Sequence, residues 1–569
     1  MRKQLIDLRE KMRQYGIDAY LIPTTDFHGS EYVNDYFKCR KYVSGFTGSA
    51  GTIVVTDREA CLWTDGRYFL QARNQLAGSG IDLMKMGQPG VPTVSEYLKK
   101  NLKAGNCLGF DGRVVDWTFA HELEEKFSLR FDLDLVDEIW PDRPQIHPSS
   151  IYALPLSVTG ETTESKMRQL RSCMREKGAE YHLITKLEEI AYLYNLRGDD
   201  VEHTPVFFAF ALVSQDDDRL YVLDPKYTEA NARPYLQIFE DLKHLDGKSI
   251  LLDRNVASYS LVKSIPETVK IIDGEDPVAL MKSFKNDAEI ESTRNAHIKD
   301  GVAMAQFIYY LKTGIGKTPM TEISVSEHLE QLRRQEGCFD ISFDTISGYN
   351  KNGAVIHYFA TEETNQELRP EGFLLVDSGG QYRDGTTDIT RTIALGPLTD
   401  EMKENYTAVL RCHIALASAV FPVGTTGAQL DALTRRPLKE IGLDYNHGTG
   451  HGVGHILCVH EGPQLISPKG TEHTFSPGII TSDEPGVYLE GKYGIRLENE
   501  LLCVDKEGGT YGFEPLTVCP WEPEAILVEK LTEAEKQWLN DYHAAVYEKL
   551  SPYLEEEIRL WLKEETRPI

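Results

Sequence analysis

Long apolar runs are missing from this 569-residue chain. The best, near Ile414–Val423, is about ten residues, well short of the roughly 18 that a membrane-spanning helix needs. The opening segment, Met1 to Met12, alternates charge with leucine and holds no apolar stretch of signal-peptide length. Cysteine is scarce as well: nine residues, scattered singly and never as Cys-x-x-Cys, which excludes a disulfide framework and a thiolate zinc site and fits a reducing compartment. Positive charge is short, with 61 Lys+Arg against 88 Asp+Glu and a net charge of −27. A surface that acidic repels phosphate backbones, which argues against a nucleic-acid partner. Together these absences predict a cytoplasmic protein with no membrane attachment.

Several catalytic motifs are incomplete. Gly316-Lys317-Thr318 has the end of a phosphate-binding loop but Leu311 where its first glycine belongs. His460-Glu461 is followed by Gln464 where a helical zinc-protease motif needs a second histidine. Complete Gly-x-Gly-x-x-Gly and Gly-x-Ser-x-Gly strings are absent.

What is present starts with a repeated order of elements. Leu5, Leu8 and Met12 make a helical stripe closed by Gly16, and Ala19–Ile22 reads as a buried strand. Thr52–Thr56 and Ala60–Trp63 follow as a hairpin. Near residue 150 the pattern restarts: Thr162 or Thr163 caps a helix with stripe Met167, Leu170 and Met174, Gly178 closes it, and Tyr181–Thr185 is the next strand. This predicts two tandem α/β domains, 1–155 and 156–286, joined by the proline-rich segment Trp140–Pro155. A third domain, 287–569, opens on Asn286 with Glu289 three residues later, a capping box, and a stripe of Ile298, Val302, Ala305 and Tyr309 running to about Leu311. Beyond it helices and strands alternate in blocks, an α+β pattern. The tail 532–565 is helical in character, with Trp538, Leu539, Tyr542 and Val546 on one packed face.

Residues 377–498 hold Asp377, Asp388, His451, Glu484 and Glu498, each in a short glycine-rich or strand-forming segment. Four carboxylates and an imidazole are too many ionisable groups for an apolar core to bury unpaired, and two divalent cations would balance the charge. Phe373–Val376 is a buried-strand run delivering Asp377, Asp384-Gly385 is a turn pair, and Thr387–Ala394 returns as a strand, so a hairpin could bring Asp377 and Asp388 to one point. One capped and one solvated turn aspartate would also satisfy that pattern. The alternating glycines of His447–His455 strip side chains from around His451, which suits close approach of backbone and of a ligand. In Gly494–Glu498, period two puts Ile495 and Leu497 on one face and Arg496 and Glu498 on the other, where Arg496 could orient a ligating oxygen. An ordinary half-solvated strand with an ion pair reads the same way. An oxygen-rich set with one imidazole suits Mn²⁺, Co²⁺ or Fe²⁺, and two bridged metals could share a hydroxide nucleophile.

Taken together these segments resemble the pita-bread metallopeptidases, and among them the three-domain, cytosolic-type Xaa-Pro aminopeptidases. The strings that carry the resemblance are Asp377 to Thr392, His447 to Gly454, Val459 to Pro463, Glu484-Pro485-Gly486 and Gly494 to Asn499, with Ser44 to Gly51, Trp63 to Phe69, Asn195 to Gly198 and Val201 to His203 ahead of them. The resemblance implies two creatinase-N-like α/β domains followed by a pita-bread catalytic domain. It implies two divalent ions per subunit, Mn²⁺ first with Co²⁺, Fe²⁺ or Zn²⁺ as alternatives. Asp377 would hold one ion, His451 and Glu484 the other, and Asp388 and Glu498 would bridge them. Glu484 doubles as general base, while His357, His447 and His460 position the scissile carbonyl and the proline ring. Arg67 of the first domain would bind substrate, in a homodimer whose N-terminal domain reaches the partner's site. The substrates implied are peptides with proline second, whose tertiary amide lacks the N–H that ordinary proteases use. Departures are His455, where a small residue is expected and which is either a wall residue or an added metal contact, and the bulky stretch Gly348–Gly353. Prolidase, acting on Xaa-Pro dipeptides, and a catalytically inactive peptide-binding module are the alternatives.

Overall fold

The computed structural model describes residues 2–245 and 248–569. They divide into two compact units, one of residues 1–154 and 161–279, the other of residues 155–160 and 280–569.

The first unit carries the same sheet twice. Helix α1 (Lys3–Tyr15) ends on Gly16 at φ 68° and buries Leu5, Leu8 and Met12. Beyond it the strands are β1 (Ala19–Pro23), β2 (Thr52–Thr56), β3 (Ala60–Thr64), β4 (Asp82–Lys85), β5 (Cys107–Gly109) and β6 (Ser128–Arg130), in spatial order 4-3-2-1-5-6. Helix α2 (Thr163–Lys177), N-capped by the Thr162 side chain and ended by Gly178 at φ 70°, leads into the second set. Those strands are β7 (Tyr181–Ile184), β8 (Ala209–Ser214), β9 (Asp218–Val222), β10 (Ala232–Pro234), β11 (Ser249–Leu252) and β12 (Lys270–Asp273), in order 10-9-8-7-11-12. In both sheets the strand after the helix pairs antiparallel with the first hairpin strand and parallel with the fifth strand. The repeat is therefore one of topology, built from two unlike sequences. Residues 141–151 form neither helix nor strand.

The second unit is organised on α3 (Asp287–Gly314), whose capping box pairs Asn286 with Glu289 as its sequence implies. The helix runs three residues past Leu311 because no breaker precedes Gly314. Met304, Phe307, Ile308 and Leu311 pack against Val325 and Leu329 of α4 (Glu322–Gln335) and against Leu374, Val376, Ile389 and Ile393. Those last four lie on two strands of a three-stranded antiparallel sheet made of β13 (Ile346–Tyr349), β14 (Phe373–Ser378) and β15 (Ile389–Ala394), namely the central β14 and the edge β15. Phe373 points the other way, into a core shared with α5 (Asp400–Ala417) and α6 (Glu533–Leu550). Both faces of β14 are covered, which explains its unbroken apolar run.

A second sheet of six strands runs in the order β16 (Val420–Pro422), β23 (Thr510–Pro515), β22 (Asn499–Lys506), β19 (Ile480–Asp483), β17 (Gly450–Gly452) and β18 (Glu461–Ile466). Strands β20 (Gly486–Leu489) and β21 (Tyr493–Arg496) pair separately. The tail is two helices, α6 and α7 (Glu556–Glu565), broken at Ser551–Tyr553, with Leu539, Tyr542 and Val546 buried. Among the described residues no helix is long and apolar enough to cross a membrane.

Candidate metal centre

Six of the sequence-predicted side chains meet in the second unit. Donor atoms of Asp377, Asp388 and Glu498 form one group, those of His451, Glu484 and Glu498 a second, and those of Asp388, His451 and His460 a third, with all atoms of a group within 4.8 Å of each other. His460, expected to position substrate, thus stands beside Asp388 and His451, and its ring packs edge-on to that of His451 at 4.3 Å.

The elements explain the convergence. Strand β14 pairs antiparallel with β15 so that Asp377 lies opposite Thr390, which leaves Asp388 one residue before the strand begins. The connection is more than a simple turn: Gly380–Tyr382 and Gly385–Thr386 form a small ladder of their own, around the Asp384-Gly385 pair. Glu484 follows β19, and Glu498 occupies the step between β21 and β22. Ile495 and Leu497 enter the apolar core while Arg496 and Glu498 face the carboxylates, and all four are buried, so this is no half-solvated strand.

The glycines around His451 serve the close approach of neighbouring backbone. A side chain at Gly450 would stand 2.0 Å from the Ser482 carbonyl oxygen, and one at Gly452 would stand 2.3 Å from that of Glu461. They let β17 pass between its neighbours, and His451 between them keeps its side chain on the open face.

The electrostatics of the cluster are those of a cation site. Asp377 Oδ1 and Asp388 Oδ1 are buried without a hydrogen-bond partner. Burial, with Asp377 and Glu484 nearby, holds the Asp388 carboxyl well above its ordinary pKa, and burial with Asp388 and Asp377 does the same to Glu498. His451 Nδ1 lies 3.0 Å from the Gly452 carbonyl, a contact that needs a ring proton there. In the neutral ring Nε2 is then a lone pair, facing Asp388 Oδ2 at 3.5 Å and Glu484 Oε1 at 3.6 Å. Lone pair against carboxylates is repulsive unless a cation lies between, and an imidazole whose other N–H is tied to a carbonyl is the usual form of a metal ligand. The residues present fit two divalent ions.

Supporting groups reach further than the sequence shows. Arg496 donates to Asp377 Oδ2 through Nη2 at 2.5 Å and Nε at 3.1 Å. Its Nη1 donates to the Tyr488 hydroxyl at 2.8 Å, and that hydroxyl is 2.9 Å from His447 Nε2. The hydroxyl can donate onward to Nε2, so the His447 proton sits on Nδ1, 2.7 Å from the Gly448 carbonyl and 3.9 Å from Glu484 Oε2. Thr390 Oγ1 donates to Glu498 Oε2 at 2.6 Å, and Glu500 Oε1 accepts the Asp388 backbone N–H at 2.7 Å. Tyr488, Thr390 and Glu500 escaped the sequence reading; for Glu500 the one available signal was its period-two spacing from Glu498.

Three predicted residues lie outside the cluster. His357 is half-buried, and the neighbouring Ile356 carbonyl accepts from Arg496 Nη2 at 3.3 Å, which ties its loop to the site's edge. His455 is buried, contacts Thr293 of α3 through Nδ1 at 3.1 Å, and belongs to none of the three donor groups. Arg67 belongs to the first unit, where it makes a two-pronged contact with Asp65 and lies 3.9 Å from Glu31. It lines a cavity of about 610 Å³ whose walls, Asp26, Glu31 and Arg113 among them, share no residue with the carboxylate cluster.

Fold and site together define a metal-dependent hydrolase of pita-bread architecture. The profile of metallopeptidase family M24 matches residues 291–505, that of the C-terminal region of peptidase M24 matches 509–569, and two creatinase/prolidase N-terminal domain profiles match 5–138 and 142–289. The chain belongs to the M24 metallopeptidases. Aminopeptidase P2 of Arabidopsis thaliana is 42% identical across 97% of this chain and 86% of its own length. A probable Xaa-Pro aminopeptidase P of Laccaria bicolor is 39% identical across 100% of this chain and 93% of its own. A solved X-prolyl aminopeptidase of Caenorhabditis elegans, described as a cytosolic enzyme with a di-nuclear active site, superposes with a TM-score of 0.95 at 34% identity over 100% of this chain and 99% of its own.

Proposed function

We propose that this protein removes the first residue from peptides whose second residue is proline. The observation that carries the reading is the meeting of Asp377, Asp388, His451, Glu484 and Glu498 with two buried carboxylate oxygens left unpartnered. Relatives with that activity match over nearly the whole length, N-terminal domains included. Asp377, Asp388 and Glu498 would hold one ion, and His451 and Glu484, with Glu498 and Asp388, would hold the other. Mn²⁺ is the expected metal on the oxygen-rich donor set. Two such ions, when bound, supply an activated water and polarise the scissile carbonyl.

The chain's own groups do the rest. Glu484, half-buried, with one oxygen toward His451 and the other toward His447, takes the proton released as the nucleophile attacks and returns it to the departing proline nitrogen. His447, held by Tyr488 with its proton on Nδ1, and His460 beside His451 line the same pocket and orient the carbonyl. His357 borders the pocket on the Ile356 side and contacts the proline ring. Arg67 binds substrate across a homodimer, from the partner's first domain. The domains divide at about residues 155 and 286, and the protein works in the cytoplasm.

The test is a cleavage assay on an Xaa-Pro-Yaa tripeptide and on the Xaa-Pro dipeptide, with chelator-treated and Mn²⁺-restored protein. The proposal expects metal-dependent release of Xaa from the tripeptide. Metal-dependent cleavage of the dipeptide alone would make the protein a prolidase, and no cleavage of either by metal-loaded protein would make it a binding module.

A further inference from the structure

Behind the metal-facing side of the sheet lies a chain of buried polar groups that the reaction itself does not use. Asp483 and Asn499 are cross-strand partners on β19 and β22, and each is the sequence neighbour of a carboxylate in the cluster, Glu484 and Glu498 respectively. Successive residues of an extended chain point to opposite sides, so Asp483 and Asn499 face away from the site. Between them sits His413 of α5. All three are fully buried.

The direction of every hydrogen bond in this chain is fixed by its one obligate donor. Arg391 can only donate, and its Nη2 lies 2.9 Å from Asn499 Oδ1, so that oxygen is the acceptor and the amide nitrogen of Asn499 faces the other way. That nitrogen is 3.3 Å from His413 Nε2, which must therefore accept. The ring proton of His413 is left on Nδ1, 3.0 Å from Asp483 Oδ2 and 3.2 Å from the Asp483 carbonyl oxygen. Arg391 is itself anchored, with its guanidinium 3.7 Å over the Trp521 ring and Nη1 donating to the Glu498 carbonyl at 2.6 Å. The ring of His413 meets Trp521 edge-on at 4.8 Å, so it has little room to turn.

We infer that His413 is a positioning residue for the metal centre: as the Nδ1–H tautomer it joins Asp483 to Asn499 and thereby fixes the backbone from which Glu484 and Glu498 project. Two ligands on separate strands keep their spacing only if those strands keep theirs, and here the ladder is tied across its back by a donor chain running Arg391, Asn499, His413, Asp483. The last link is the hydrogen bond to the Asp483 backbone carbonyl, since neither carboxylate oxygen of Asp483 has a hydrogen-bond partner, so the tie holds the strand itself and is lost when His413 is removed. The inference rests on the proposed ligand roles of Glu484 and Glu498.

The test is calorimetric titration of Mn²⁺ into chelator-stripped full-length protein, with far-UV circular dichroism and thermal unfolding on the same samples. His413→Leu keeps the volume and removes both hydrogen bonds. Its Mn²⁺ affinity is expected to fall by about 10- to 100-fold, the usual effect of losing an outer support, with kcat lowered and KM little changed. His413→Asn offers an amide N–H near the place of Nδ1 and is expected to recover most of the affinity. Should His413→Leu not fold, Asn499→Ala breaks the chain at the next link and is expected to show the same loss. Wild-type affinity in His413→Leu or Asn499→Ala overturns the inference, as does an equal loss in His413→Asn and His413→Leu. Glu498→Ala separates the two readings. If it binds Mn²⁺ as the wild type does, the ligand assignment fails and the inference with it; if it loses an ion while His413→Leu does not, the inference alone fails.

Discussion

Arg496 grips one oxygen of Asp377, Oδ2, through two N–H groups and leaves the other, Oδ1, buried without a partner. An ion pair that satisfied only the protein would use both oxygens in a fork. Here the arginine orients the carboxylate and the free oxygen is kept for something else. Arg496→Leu is therefore expected to weaken Mn²⁺ binding and to lower kcat/KM by about 10- to 100-fold. Arg496→Lys, which has no second prong, should recover only part of this. Metal titration and steady-state kinetics on both variants check it.

Asp388 is buried among like charges, so its removal should separate stability from activity. Asp388→Ala is expected to abolish turnover and to keep the fold. Without metal it should melt no lower than the wild type, because a desolvated carboxylate beside Asp377 and Glu484 has been removed. Differential scanning calorimetry of both proteins after chelation, with an activity assay after Mn²⁺ is restored, decides the point. A fall of many degrees in the stripped variant would mean that Asp388 holds the fold together.

Metal removal should leave the wild type folded but less stable. Ions that bind the native state and not the unfolded chain stabilise by mass action, by about 2.7 kcal/mol when free metal is 100 times the dissociation constant. The melting temperature should fall on chelation, return with Mn²⁺, and depend on Mn²⁺ concentration. In Glu498→Ala the dependence should shrink, since a shared ligand is gone.

His543 sets an acid limit. Its Nε2 accepts the Trp521 backbone N–H at 3.1 Å, and burial, with Arg391 nearby, pushes its pKa down from 6.5 to about 3. Between those values the unfolded chain binds a proton that the folded one does not, so stability falls as pH drops through that window, by about 1.4 kcal/mol per unit well below the upper value. His543→Gln can still accept from Trp521 and has no proton to gain. Urea unfolding at pH 7 and pH 5 should show the gap between the two proteins shifting toward the variant at the lower pH. A pH-independent gap would contradict the assignment.

The sequence was most readable where one physical rule decides. Gly16 and Gly178 end helices because the chain turns left-handed there, and Asn286 with Glu289 starts one. The carboxylates were readable for a similar reason: Asp377 ends an apolar run, and the charges needed a common partner. Residues tied by distant hydrogen bonds were not. Tyr488 touches both Arg496 and His447, but nothing in the spacing of residues 447, 488 and 496 announces it. His413 lies 70 residues from Asp483 in an ordinary helical stripe. His460 was legible as a functional residue, but its edge-on contact with His451 leaves no trace in a linear pattern. The glycines flanking His451 were legible as room for close approach, and Gly450 and Gly452 give that room to the neighbouring strands.

The most direct test is a crystal of the Mn²⁺-loaded protein measured at the manganese absorption edge. Two anomalous peaks about 3.5–4 Å apart are expected, one touching Asp377, the other touching His451 and Glu484, with Asp388 and Glu498 shared between them. A single peak, or manganese bound anywhere other than among these five side chains, would contradict the account.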